Sequence, residues 1–97
     1  MLWKTIITVD ARIYPVHVAY KAAYALASTL SILVEQNTEG LALHVSPADP
    51  AAMPTEAAGR ALVIRNLNDF AMRERIHAET SGIRELLART ALREAGI

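Results

Sequence analysis

From Thr55 to near the C-terminus the sequence keeps a helical period, but its apolar face changes sides on the way. Val63, Leu67 and Phe70 form one stripe; Met72, Ile76, Ile83, Leu87 and Ala91 form another. On a helix of 3.6 residues per turn the second lies about half a turn from the first. Such a helix either has two neighbours or breaks between the stripes, and the residues leave both readings open. If it is continuous, the second stripe touches a different neighbour, a partner. If it breaks or kinks near Asn66–Asp69, Asn68 or Asp69 serves as a new N-cap. Thr80-Ser81-Gly82 is a second weak point, because Gly and Ser tolerate kinks, although the second stripe runs through it in phase.

The preceding residues supply a sheet. Residues 2–11 are rich in Trp, Thr, Ile and Val, which favours a strand with Trp3, Thr5, Ile7 and Val9 on its inner face. Tyr14-Pro15 opens a first helix, with Pro15 suited to the first helical position. Through residue 28, Ile13, Val16, Tyr20, Ala23, Ala27 and Leu30 recur at three- and four-residue steps. Lys21 is this helix's only formal charge, which predicts that it is covered on more than one side. Residues 30–36 and 41–46 then bracket Asn37-Thr38-Glu39-Gly40 as a hairpin, with Asn and Gly supplying the turn. If Asn37 opposes Gly40, Gln36 faces Leu41, Val34 faces Leu43 and Ile32 faces Val45. That one register satisfies both the turn and the apolar alternation. Residues 47–54 form a loop with three prolines. The predicted fold is α+β: a small two-layer β-α-β-β-α domain over residues 1–97, with a three-stranded sheet and a long or kinked C-terminal helical stretch. The crossover from first strand through helix to second strand is compatible with a parallel, right-handed unit.

Apolar residues make up 53% of the 97, yet many are alanine and aromatics are only 5%, so the core is expected to be thin and built from Leu, Ile and Val. Ten basic and ten acidic residues balance. That argues against nucleic acid as a partner, since such binding normally shows a basic excess, and a near-zero charge favours association. There is no cysteine, hence no disulfide, thiolate zinc site or cysteine-ligated cluster on this chain. The N-terminus does not read as a signal peptide, and no apolar run reaches the roughly 18 residues that span a bilayer. The expectation is a cytoplasmic protein without a membrane partner.

No convergent catalytic set stands out. Glu74 and His77 have the Glu-x-x-His spacing of di-iron bundles, but such sites need a second motif and further carboxylates. A small metal-dependent enzyme using Glu74 and His77 is therefore the alternative reading, not the leading one. His17 falls in the first turn of the first helix and His44 lies mid-strand, and nothing in the sequence brings the histidines together. His44-Val45-Ser46 is a His-Xaa-Ser triplet whose positions suit an ordinary strand. No nucleophile elbow, phosphate loop or dinucleotide fingerprint is present, and no cofactor is expected. Glu56–Arg60, Asp69–Arg73, Arg75–Glu79 and Glu85–Arg89 are spaced to pair along the last helix.

The run Asn66-Leu67-Asn68-Asp69-Phe70-Ala71-Met72-Arg73-Glu74 resembles the LLNDYxLRE signature of the His-Xaa-Ser system protein family HxsD. Leu67, Asn68, Asp69, Arg73 and Glu74 match outright, Phe70 stands for Tyr and Met72 for Leu, and Asn66 departs from the first Leu. The continuation from Arg75 to Leu87, the Val9-Asp10 and Tyr14-Pro15 pairs and the Tyr20–Tyr24 segment are similar as well. The resemblance implies an accessory factor encoded beside two radical S-adenosylmethionine maturases and a substrate carrying His-Xaa-Ser repeats. With neither cysteines nor repeats, this chain would be a helper that binds precursor, maturase or both. The expected partner-binding residues are Asn68, Asp69, Phe70, Met72, Arg73, Glu74, Ile76, Ile83 and Leu87. The hairpin edge offers one docking mode, where an extended peptide adds a strand, and the Met72–Ile76–Ile83–Leu87 stripe offers another, for a partner helix or a twin copy of the chain.

Overall fold

The computed structural model describes residues 2–52, 54–94 and 96. Its elements are β1 (Thr5–Val9), α1 (Val16–Ala25), β2 (Leu30–Asn37), β3 (Gly40–Pro47), a short 3-10 turn (Pro50–Ala52) and α2 (Glu56–Glu94). The fold is α+β, as the sequence predicts.

The hairpin forms in the predicted register: Asn37 with Gly40, Gln36 with Leu41, Val34 with Leu43 and Ile32 with Val45. The Asn37 side chain accepts the amides of Glu39 and Gly40 at 2.9 and 3.0 Å, which folds the turn. Gly40 has φ +146°, and a Cβ there would lie 2.4 Å from the Val9 carbonyl oxygen, so only glycine fits. β3 also pairs with β1, giving the order β1-β3-β2 with both neighbours antiparallel to β3. The two strands of the first crossover therefore run parallel to each other but do not pair, because β3 lies between them. β3 is the most deeply buried strand, which suits it to the centre.

The inner face of β1 is the predicted one: Thr5 and Ile7 are buried and Trp3 and Val9 half-buried, while Ile6 is exposed. The first helix is shorter than predicted and presents a different face. Pro15 precedes it as the capping residue, and Val18, Ala19, Ala22 and Leu26 are buried. Tyr20, in the stripe read from sequence, is 58% exposed, and Ile13 is exposed as well. Both sides of this helix are apolar, so periodicity alone did not choose between them.

Both helices cover one face of the sheet. Val63 and Leu67 of α2 join Val18, Ala19 and Ala22 of α1 and Leu41, Leu43 and Val45 of β3 in one core, with Phe70 and Trp3 packed against it. Each fully buried Leu or Val contributes roughly 1.5–3 kcal/mol of apolar transfer. Gly59 lets the Trp3 ring lie against α2, and the indole N–H donates to the Pro54 carbonyl at 2.8 Å.

α2 is continuous over 39 residues, which settles the open choice against a break at Asn66–Asp69 or at Thr80–Gly82. Its start is capped by Thr55, whose hydroxyl accepts the Ala58 amide at 3.1 Å. A helix of this length spans about 58 Å, and the molecule is 69 Å along its longest axis. The half up to Ala71 lies on the sheet and α1; beyond Thr80 every residue through Arg93 is exposed.

Candidate functional site

The signature run sits where α1 crosses α2. The Tyr14 hydroxyl donates to Asn68 Oδ1, and His17 Nε2 is hydrogen-bonded to Glu74 Oε1. The Tyr-Pro pair and the Asn-Asp-Phe run, more than fifty positions apart in sequence, thus meet in space. Sequence reasoning placed His17 in the first turn of the first helix but did not find its carboxylate. The signal was present only in the coincidence of Tyr14-Pro15 and Asn68–Glu74 within one resemblance.

Two adjoining shallow grooves flank this crossing. One, about 270 Å³, is lined by Arg12, Ile13, Pro15, Ala71, Glu74 and Arg75, among others. The other, about 300 Å³, shares Ile13, Ala71 and Arg75 and adds Tyr14, Asn68 and Met72. The second oxygen of Glu74 is buried with no hydrogen-bond partner, although the side chain as a whole is 38% exposed. Beside the first groove, Arg12 binds the Asp10 carboxylate with its guanidinium at 2.8 Å and with its backbone amide at 2.8 Å. These hydrogen bonds, the side-chain one foremost, hold the Asp10 carboxyl down at about 2.

The nine residues expected to meet a partner divide into two groups. Asn68 and Glu74 hold α1, Phe70 is half-buried against the core, and Asp69 pairs with Arg73 at 3.0 Å along the helix. Met72, Ile76, Ile83 and Leu87 have no such engagement; they are 62, 52, 58 and 64% exposed. Leu86 and Leu92, which the stripe read from sequence omits, are exposed as well. Between them, the Thr80 hydroxyl donates to the Ile76 carbonyl at 2.9 Å and the Thr90 hydroxyl to the Leu86 carbonyl at 3.0 Å. Both hydroxyls are satisfied within their own helix, so covering this face would leave neither unpaired.

Of the four spaced charge pairs, Asp69–Arg73 and Glu85–Arg89 close. Arg60 reaches Thr5 Oγ1 at 2.6 Å and the Ile6 carbonyl at 3.5 Å instead of Glu56. Arg75 lines the grooves beside Ile13 rather than bridging to Glu79. Glu74 is bonded to His17 rather than His77, although both Glu74 and His77 line a further groove with Lys21, Phe70 and Arg73. His44 Nε2 lies 3.0 Å from Glu35 on the outer face of the sheet. Among the described residues no three His, Asp or Glu side chains gather as an ion site would require, and no helix is long and apolar enough to cross a membrane.

Residues 9–97 match the family model of the His-Xaa-Ser system protein HxsD. No curated protein and no solved structure matches the chain.

Proposed function

Because the chain belongs to the HxsD family of His-Xaa-Ser system proteins, we propose that it is a non-catalytic accessory protein of that system, one that binds the His-Xaa-Ser repeat precursor, a radical S-adenosylmethionine maturase, or both. The observation that supports this reading is the outward stripe Met72, Ile76, Ile83 and Leu87 on the part of α2 that extends past the sheet. A stripe with this spacing suits an amphipathic helix or a groove on a partner protein, read at three- and four-residue anchors. Asn68 and Glu74 have a supporting role in it: by holding α1 they fix where the free length of α2 begins.

Calorimetry of the purified chain against each maturase and against the precursor tests the assignment. Binding is expected to at least one of them, and it is expected to be lost in Ile83→Asp and Leu87→Asp chains whose thermal midpoints are unchanged. An absence of binding to all of them at tens of micromolar would remove the proposal.

A further inference from the structure

The two edges of the sheet are finished differently. On the open side of β1 the Ile6 carbonyl accepts from the Arg60 guanidinium at 3.5 Å. β2 has eight residues, Leu-Ser-Ile-Leu-Val-Glu-Gln-Asn, without the lysine, proline or bulge that usually blunts an edge. The hairpin register fixes which of its backbone groups are free. Asn37 and Gly40 close a two-residue turn as a hydrogen-bonded pair, and from there the pairing alternates. Glu35, Leu33 and Ser31 turn both backbone groups to β3; Gln36, Val34, Ile32 and Leu30 turn theirs to the open side. The Leu30 amide is taken by the Leu26 carbonyl at 2.8 Å. The Leu30 carbonyl and both groups of Ile32, Val34 and Gln36 have no partner among the described residues.

We propose that this edge, together with the adjoining flank of α1, receives a second copy of the chain, and that antiparallel β2–β2 pairing joins two three-stranded sheets into one. The strand is self-complementary about Leu33. In that register Ile32 faces the partner's Val34, with free backbone groups on both, and the Leu30 carbonyl faces the partner's Gln36 amide. Leu33, 66% exposed, meets the partner's Leu33 on the outer face. Glu35, the strand's only charge, meets the partner's Ser31, so no like charges are opposed. Slipping the register by two residues either way shortens the pairing and sets Leu33 against Ser31 or Glu35.

The flank of α1 argues for a second copy over a lone peptide. α1 packs on β2, whereas α2 packs on β1 and β3. His17 and Lys21 mark the side of α1 turned to α2. Val16, Tyr20 and Ala23 lie at helical spacing on the other side, with Tyr20 58% exposed. In a sheet continued across β2 the flanks of the two α1 helices become neighbours, and small Ala23 permits their close approach. A strand joint alone falls short of the roughly 1,200 Å² of a specific interface, and the helix contact adds to it. An added peptide would leave that flank bare. The formal net charge of zero sets no repulsion between copies.

Light scattering is expected to give twice the 10.6 kDa chain mass. Because the chain has no cysteine, a single introduced one reports the joint. Leu33→Cys is expected to cross-link with its copy on mild oxidation; Glu35→Cys alone is not, but mixed with Ser31→Cys it is. Leu33→Lys and Leu33→Glu are each expected to weaken the dimer at least about tenfold, and mixing the two to restore it. Leu33 lies outside the core, so each variant is expected to keep the native far-UV circular dichroism spectrum as a folded monomer, with a thermal midpoint lowered only by the lost dimer. A monomeric native chain, a Leu33→Lys dimer as tight as the native one, or a dimer broken only by Ile83→Asp would overturn the proposal. None of these results bears on whether α2 binds a maturase or precursor, which the Ile83 and Leu87 chains test separately.

Discussion

The two halves of α2 belong to one unbroken helix and live in different surroundings. Up to Ala71 it is held by the sheet and α1: Val63 is fully buried, Leu67 1% exposed, and Arg60 and Asn68 bind residues far away in sequence. Beyond Met72 the same backbone carries leucines and isoleucines of equal size that are more than half exposed. Backbone hydrogen bonding is alike in both halves, so helix formation does not decide which residues hold the protein together. What decides it is whether the stripe faces the sheet, and the half-turn shift in apolar pattern marks where that ends.

The difference can be broken by exchanging equivalent substitutions between the halves. Leu67→Ala is expected to lose about 2–5 kcal/mol in chemical denaturation, while Leu87→Ala stays within about 0.5 kcal/mol. Equal losses would mean that the free half packs in the isolated chain after all. Glycines give the next largest contrast. A Cβ on Gly59 would lie 2.6 Å from the Trp3 ring, whereas one on Gly82 meets nothing within 4 Å. Gly59→Leu is expected to lose about 1–3 kcal/mol by overpacking, and Gly82→Ala to gain about 0.5–1 kcal/mol of helix propensity. Thermal unfolding of the two variants reads the opposite signs.

The boundary between the halves is sharpened by Glu74→Gln, which weakens the tie to His17. Both side chains are substantially exposed, 38% and 53%, so the expected loss is only about 0.5 kcal/mol. Faster amide hydrogen exchange is expected in α1, with the far end of α2 unchanged. The smallest effect is confined to the body. Asp10 titrates near 2 rather than 3.8 when folded, chiefly through the Arg12 side chain. A depressed folded value means that its contribution is present above pH 3.8 and lost as pH falls towards 2. Arg12→Gln is expected to return the carboxyl towards its ordinary value in an NMR titration.

What the sequence discloses follows how local each interaction is. The hairpin was legible down to its register, because Asn37 and Gly40 fix the turn and alternation fixes the face. The two stripes of α2 were legible from spacing, and the first proved to be the packed one. The buried face of α1 was not, because Val18, Ala19, Ala22 and Leu26 compete with an equally apolar run through Val16, Tyr20 and Ala23. Nor did spacing show that β3 separates β1 from β2, since strand order is set by contacts across the whole chain. Tyr14–Asn68 and His17–Glu74 are also long-range, so no local pattern announces them. A helix that changes its apolar face without breaking was one of two allowed outcomes. The deciding fact, that the Asn68 side chain accepts from Tyr14 and Asp69 pairs with Arg73 instead of capping a new helix, is a property of the folded chain.

Arg60 has a consequence at the scale of many molecules. By reaching the Ile6 carbonyl at 3.5 Å it takes one outward acceptor of β1, while the outward groups of Ile32, Val34 and Gln36 in β2 stay unpaired among the described residues. A ribbon that accepts growth at one margin only terminates after a single addition. Fibre formation would require both margins to be receptive, and one guanidinium withdraws an acceptor from the second.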